Sequence, residues 1–321
     1  MVGGLTRSLT YLLLLAALLL SGPPAQAAPP SIRVIDANWY DAARQRDIPI
    51  RLYLPASRSA PLPLVLFSHG LAGSRAAGEH WLSYWAEHGI AGLAMQHHGS
   101  DTDILRGGNL RQAMQAAKSV KQGDARQADA RFVLDELARR QGKDANLPAI
   151  DLRRIGFAGH SFGAVTTQML AGQARPLGQA QPEPRLRAFI ALSPSAHSEQ
   201  PALLHQQFGG IHAPFFSITG TADQSQAAPD VTPRHRTLPY QSMPAPDKYL
   251  LVLADATHAQ LSGSGAGARR PGALEATPGQ RQAIETLTLA FWQTYLNGAP
   301  ASTLRQARPP ALGPLDHWEY K

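Results

Sequence analysis

Gly159-His160-Ser161-Phe162-Gly163 carries the pattern G-x-S-x-G, and the reading of the chain works outward from that serine. Three fixed letters decide little in a sequence with 28 glycines, so the flanks carry the weight. Arg154, Ile155, Gly156, Phe157 and Ala158 read as a short buried strand, and Ala164 through Gln173 read as a helix. Strand, sharp turn and helix follow in the order of a nucleophile elbow. Such a turn projects a serine hydroxyl above the end of a sheet. Gly159 and Gly163 leave the room it needs, because a side chain at either position would collide with the neighbouring strand or helix. The helix that starts at the serine also aims N–H groups and a positive dipole end at an oxyanion formed nearby. The competing reading is a structural strand-to-helix turn that happens to hold a serine.

Upstream, apolar residues recur at every second position through Ile32 and Val34 and again through Ile48, Ile50, Leu52 and Leu54, which predicts an edge hairpin. The nearly continuous apolar run Leu62 to Phe67 predicts a central parallel strand. It ends in Ser68-His69-Gly70-Leu71-Ala72-Gly73. A helix over Glu79 to His88 and a buried strand over Ile90 to Met95 follow. Residues 96–123 are less regular and read as one or two short helices, either a small lid or a solvated connection. Ala128, Phe132, Val133, Leu134 and Leu137 mark one face of a helix over Ala125 to Arg140. Downstream of the elbow, strands are predicted over Leu186 to Leu192, Pro214 to Thr219 and Tyr249 to Leu253. Ser262 to Gly272 reads as a Gly-rich loop. Thr277, Pro278, Asn297 and Gly298 bracket a last helix, and the Pro-rich tail, 299–321, reads as irregular. Alternating strands and helices predict a mostly parallel sheet covered on both faces.

A serine hydroxyl becomes a nucleophile when a base takes its proton and an acid orients that base. The expected chain order on this scaffold is Ser, then Asp or Glu, then His. Asp223 stands just past the strand ending at Thr219, and His258 just past the last strand. Both fall at carboxyl ends of parallel strands, the edge to which the elbow delivers Ser161. Asp255 is the rival acid, three residues before His258, and reads as a turn former. His160 points elsewhere on an elbow, and His69 reads as a loop-orienting residue. The oxyanion hole is assigned to two main-chain N–H groups, that of Phe162 after the nucleophile and that of Leu71 in the loop after Phe67.

The chain has 321 residues, 44% hydrophobic and 17% charged, with a net charge of +7 and no cysteine. Its arginines are scattered and not interleaved with aromatics, so the charge reads as a solubility feature and no nucleic-acid partner is expected. His97 and His98 are adjacent and would face opposite sides of a strand. No H-E-x-x-H motif, cysteine cluster or phosphate cradle accompanies them, so neither metal nor cofactor is expected. Arg7, the apolar run Tyr11 to Leu20, and Ala25-Gln26-Ala27 form the pattern of a secretory signal peptide over 1–27. The expectation is a single domain over 28–321, secreted or periplasmic, with no stable membrane anchor after cleavage.

Phe67-Ser68-His69-Gly70-Leu71 followed by Gly159 to Gly163 resembles the platelet-activating-factor acetylhydrolase and dienelactone-hydrolase-like branch of the α/β-hydrolase superfamily. The endings around Asp223 and His258 are similar to bacterial polyester hydrolases and cutinase-like lipases of that superfamily. The resemblance implies an α/β-hydrolase fold and ester hydrolysis through an acyl-enzyme, on a small-molecule, lipid or polyester substrate and without cofactor. In the acetylhydrolase branch the acid follows the preceding strand, where this chain has Ala191-Leu192-Ser193-Pro194. The alternatives to an esterase are a non-catalytic binding protein of this fold, an acyltransferase or a peptidase.

Overall fold

Leu62–Ser68 (β3) is buried along its whole length, as a strand covered on both faces requires. The computed structural model in which it lies describes residues 32–56, 61–106, 110–145, 147–175, 178–196, 198–225, 227–264 and 275–321. The export signal read over 1–27 and most of the Gly-rich loop therefore lie outside the described residues. β3 runs parallel to both of its neighbours, Ala91–Met95 (β4) and Ile150–His160 (β5). The parallel sheet continues through Leu186–Leu192 (β6), Phe215–Ala222 (β7) and Lys248–Thr257 (β8). Arg33–Asp41 (β1) and Arg46–Leu54 (β2) form the expected antiparallel hairpin and join the sheet against β4.

The tail corrects the sequence reading. His317–Tyr320 is a ninth strand (β9), antiparallel to β8, which gives the order β1-β2-β4-β3-β5-β6-β7-β8-β9. Trp318 stacks on Tyr249 with ring centres 5.8 Å apart, and Asp316 Oδ1 accepts from Ala254 N–H at 2.7 Å. These contacts order a segment whose prolines read as irregular.

Helices cover both faces. Glu79–Glu87 (α1) is followed by Leu110–Ala117 (α2), Val120–Arg140 (α3) and Phe162–Ala171 (α4). Pro201–Phe208 (α5), Pro233–Ser242 (α6), Pro278–Asn297 (α7) and Ala301–Gln306 (α8) complete the set among the described residues. Val133, Leu137, Leu170 and Phe208 of α3, α4 and α5 pack on one face of the sheet. Trp81, Trp85, Ile284, Phe291 and Trp292 of α1 and α7 pack on the other. Burying each such side chain contributes about 1.5–3 kcal/mol. Helix α7 starts where its signals place it. Thr277 Oγ1 accepts from Gln280 N–H, Gln280 Oε1 accepts from Thr277 N–H, and Gly298 ends the helix in the left-handed region. Helix α3 starts earlier than its apolar face shows, because Ser119 caps it by accepting from Gln122 N–H. Ahead of it, the 96–123 segment holds a 3-10 turn, Thr102–Leu105, and α2. No described helix is long and apolar enough to cross a membrane.

Because β3, β5, β7 and β8 are mutually parallel in one sheet, their carboxyl ends open on one edge. The loops that leave this edge carry Leu71, Ser161, Asp223 and His258.

Candidate active site

Ser161 sits between β5 and α4 with φ 56° and ψ −114°, a left-handed conformation costly for a residue with a side chain and common at functional turns. The turn closes only because its glycines lack side chains. A Cβ on Gly159 would strike the Gly163 carbonyl, and one on Gly163 would strike the Ser68 carbonyl at the end of β3. Ser161 is partly exposed, and its N–H donates to Leu192 O at 2.9 Å.

The structure brings the sequence-assigned serine, histidine and aspartate together. His258 Nε2 is 2.8 Å from Ser161 Oγ, and His258 Nδ1 is 2.7 Å from Asp223 Oδ1. Asp223 is fully buried, while the His258 side chain keeps 15% of its surface exposed. With Nδ1–H donated to the carboxylate, Nε2 is left to accept the serine proton, the tautomer a general base needs. Thr219 Oγ1 donates to Asp223 Oδ2 at 2.7 Å. Burial works to raise the Asp223 carboxyl, but the His258 hydrogen bond, the nearby Arg236 charge and the Thr219 hydroxyl together hold it below the usual carboxylate range.

Arg236, on α6, was not legible as a site residue. It is buried, its Nε lies 3.4 Å from Asp223 Oδ1, and its Nη1 donates to Ser193 O at 3.2 Å. Ser193 is the position at which the resembling branch keeps its acid, and here the carboxylate on His258 comes from Asp223. The rival acid, Asp255, is exposed and left-handed (φ 55°), and its N–H donates to Thr221 Oγ1. It shapes the turn. His160 turns away from the serine hydroxyl, and its Nε2–H donates to the His258 carbonyl at 2.9 Å. Burial first, then the neighbouring His258, lowers His160 to about 3, so it stays neutral.

The loop after β3 lies directly on the elbow, since a Cβ built on Gly70 would sit 3.4 Å from Ser161 Cβ. Ala72 N–H donates to Ser100 O and Gly73 N–H to Gly70 O, which commits the donors that follow Leu71. Phe162 opens α4, so its N–H has no acceptor within the helix. His69 is fully buried. His97 N–H donates to its Nε2 at 2.9 Å, so the proton of the ring sits on Nδ1, which donates to Gly70 O at 2.6 Å. Burial and the Arg126 charge hold His69 well below its ordinary value.

A second Ser-His-Asp chain stands behind this loop. Ser68 Oγ is 2.9 Å from His97 Nε2, and His97 Nδ1 is 2.9 Å from Asp129 Oδ2. All three residues are fully buried, so no substrate reaches Ser68. Asp129 is already occupied by Arg44 at 2.7 Å and Arg46 at 2.8 Å. Burial and the Arg126 charge lower His97 to about 4 despite the aspartate. Access to solvent, more than hydrogen-bond order, separates the two chains. His98 faces outward, and it brings one possible ligand atom together with Asp101 and Asp103 within 4.8 Å of one another, the group among the described residues best placed for a cation. Asp101 gives one oxygen to Gln96 Nε2, and the other two residues are exposed.

No protein-family model matches the chain, and no curated protein matches it in sequence. Among solved structures, a ferulic acid esterase from Streptomyces cinnamoneus is similar with a TM-score of 0.60, at 18% identity, over 92% of this chain and 97% of that one. The mostly parallel nine-stranded sheet with helices on both faces and this structural likeness define the α/β-hydrolase fold.

Proposed function

We propose that the protein is a serine hydrolase that cleaves carboxylic esters through an acyl-enzyme. The observation that carries the reading is the hydrogen-bonded chain Ser161–His258–Asp223, open at its serine end and buried at its aspartate end. Ser161 Oγ attacks the ester carbonyl as His258 Nε2 takes its proton, and Asp223 stabilises the imidazolium that forms. The Leu71 and Phe162 N–H groups receive the oxyanion. His258 returns the proton to the departing alcohol. Water then enters and attacks the acyl carbonyl as it loses a proton to His258, and the acid departs as His258 returns that proton to Ser161 Oγ. Side chains, main-chain N–H groups and water are the only groups these steps require.

The structurally similar protein is a ferulic acid esterase, which supports an ester as the substrate class. We place the protein outside the cytoplasm on the Arg7, Tyr11–Leu20 and Ala25–Ala27 pattern, with residues 28–321 acting as one domain. Turnover of p-nitrophenyl acyl esters by the wild type and Ser161→Ala tests the reading. The variant is expected to lose at least about 10⁴-fold in kcat/KM; undiminished turnover overturns it.

A further inference from the structure

Arg126 lies on α3 and is fully buried. Among the described residues no carboxylate reaches it within ion-pair distance. Its guanidinium donates instead to the main-chain carbonyls of His69 (2.6 Å) and Gly70 (3.4 Å) and to the hydroxyls of Ser100 (2.9 Å) and Ser68 (3.3 Å). Its Cζ stands 4.3 Å from the centre of the Phe162 ring. A desolvated charge is costly, and pairing with a carboxylate is the usual compensation. Here burial pulls Arg126 down to about 9, with Asp129 and Asp101 opposing that only through space. Both terminal nitrogens of this charge donate to the loop that lies on Ser161, and Nε donates to Ser100.

Peptide geometry gives the consequence. In a trans peptide the C=O and the N–H of one unit point in opposite directions. Gly70 O accepts from His69 Nδ1–H at 2.6 Å, from Gly73 N–H at 3.1 Å and from Arg126 Nη2 at 3.4 Å, and the first and last of these donors are buried side chains. The N–H of the same peptide, that of Leu71, is therefore turned away from the interior, on the loop that touches Ser161. We propose that Arg126 is a positioning residue for the oxyanion hole: it clamps the Gly70 peptide so that Leu71 N–H faces the reacting oxygen, and braces the other donor, Phe162, through its ring. A cation on the carbonyl also polarises the peptide and strengthens its N–H as a donor. This inference rests on the ester hydrolysis proposed above.

The test is Arg126→Met, assayed per active site after titration with a fluorophosphonate. On p-nitrophenyl butyrate, kcat is expected to fall about 10–100-fold while KM changes less than about threefold, a part of the 10²–10³-fold cost of losing one oxyanion donor outright. The inhibition constant of a phenylboronic acid, which forms a tetrahedral adduct on the serine, should rise by the same factor as kcat falls. Arg126→Lys should recover part of both. A merely structural arginine would lower the melting temperature and the titratable fraction but leave kcat per site and boronate affinity unchanged, and that result overturns the proposal. If Arg126→Met does not fold, Arg126→Gln, which has neither the charge nor the fork that spans the His69 and Gly70 carbonyls, is measured in the same way, and unchanged kcat per site again overturns it. Turnover by Ser161→Ala, measured per protein chain, separates the two readings. An inactive Ser161→Ala beside an unaffected Arg126→Met defeats the arginine's role alone, whereas an active Ser161→Ala defeats ester hydrolysis at this site and the arginine's role with it.

Discussion

Asp223 divides its two oxygens between His258 and Thr219, and that division sets the tautomer of the base. Asp223→Asn would turn an amide donor toward His258 Nδ1, leaving the Nε2–H tautomer that cannot accept the serine proton. A loss of about 10³–10⁴-fold in kcat with KM nearly unchanged is expected in steady-state assays. A loss under tenfold would point to another acid. Gly163→Ala acts on the fold, because its Cβ meets the Ser68 carbonyl, a main-chain atom with no freedom to step aside. Destabilisation of about 3 kcal/mol or more is expected from urea unfolding, and a wild-type midpoint would contradict the packing described. Ser161, Asp223 and His258 were legible because chain order and position after a strand identify them without any distance. Arg126 and Arg236 were not, since each lies on a helix whose sequence shows a charged residue among polar neighbours. The available signal was phase, because Arg126 falls on the same helix face as Ala130, Val133 and Leu137, all of which are buried.

At the scale of elements, continuous apolar runs and helices with a capping signal were readable, and helices without one, or strands with few apolar residues, were not. β3 and α7 matched their signals within a residue or two, whereas α5 is only eight residues long and α6 holds Pro239 in its interior. β9 is four residues long and alternates charged or polar His317 and Glu319 with Trp318 and Tyr320, too brief a pattern to stand out in a Pro-rich tail. Its worth lies in packing, since Trp318 covers Tyr249 and Phe216 on the strands that deliver His258 and Asp223. Trp318→Ala should therefore cost about 2 kcal/mol, below the 3–5 kcal/mol of a fully buried tryptophan because this one is partly exposed. Chemical denaturation measures it, and a change under about 0.5 kcal/mol would show that the tail does not brace the sheet.

The whole molecule keeps three histidines neutral in its interior. His69 is held well below its ordinary value, His97 at about 4 and His160 at about 3, each mainly by burial. In the unfolded chain all three titrate near about 6.5. Between about pH 6.5 and 4 the unfolded state therefore binds more protons than the folded state, and stability falls as pH falls. The slope should exceed the one-proton value of about 1.4 kcal/mol per pH unit and approach three times that. Urea midpoints at pH 7, 6 and 5 measure it; a flat profile would mean that these rings are solvated or already charged in the folded protein.

Two Ser-His-Asp chains meet at the carboxyl edge of the sheet, one with a partly exposed serine and one wholly buried. Covalent trapping distinguishes them. The wild type incubated with a fluorophosphonate, digested and mapped by mass spectrometry should carry one adduct per chain, on Ser161, and Ser161→Ala should carry none. An unlabelled folded protein, or an adduct on another serine such as Ser68, would contradict the assignment of Ser161 as the nucleophile.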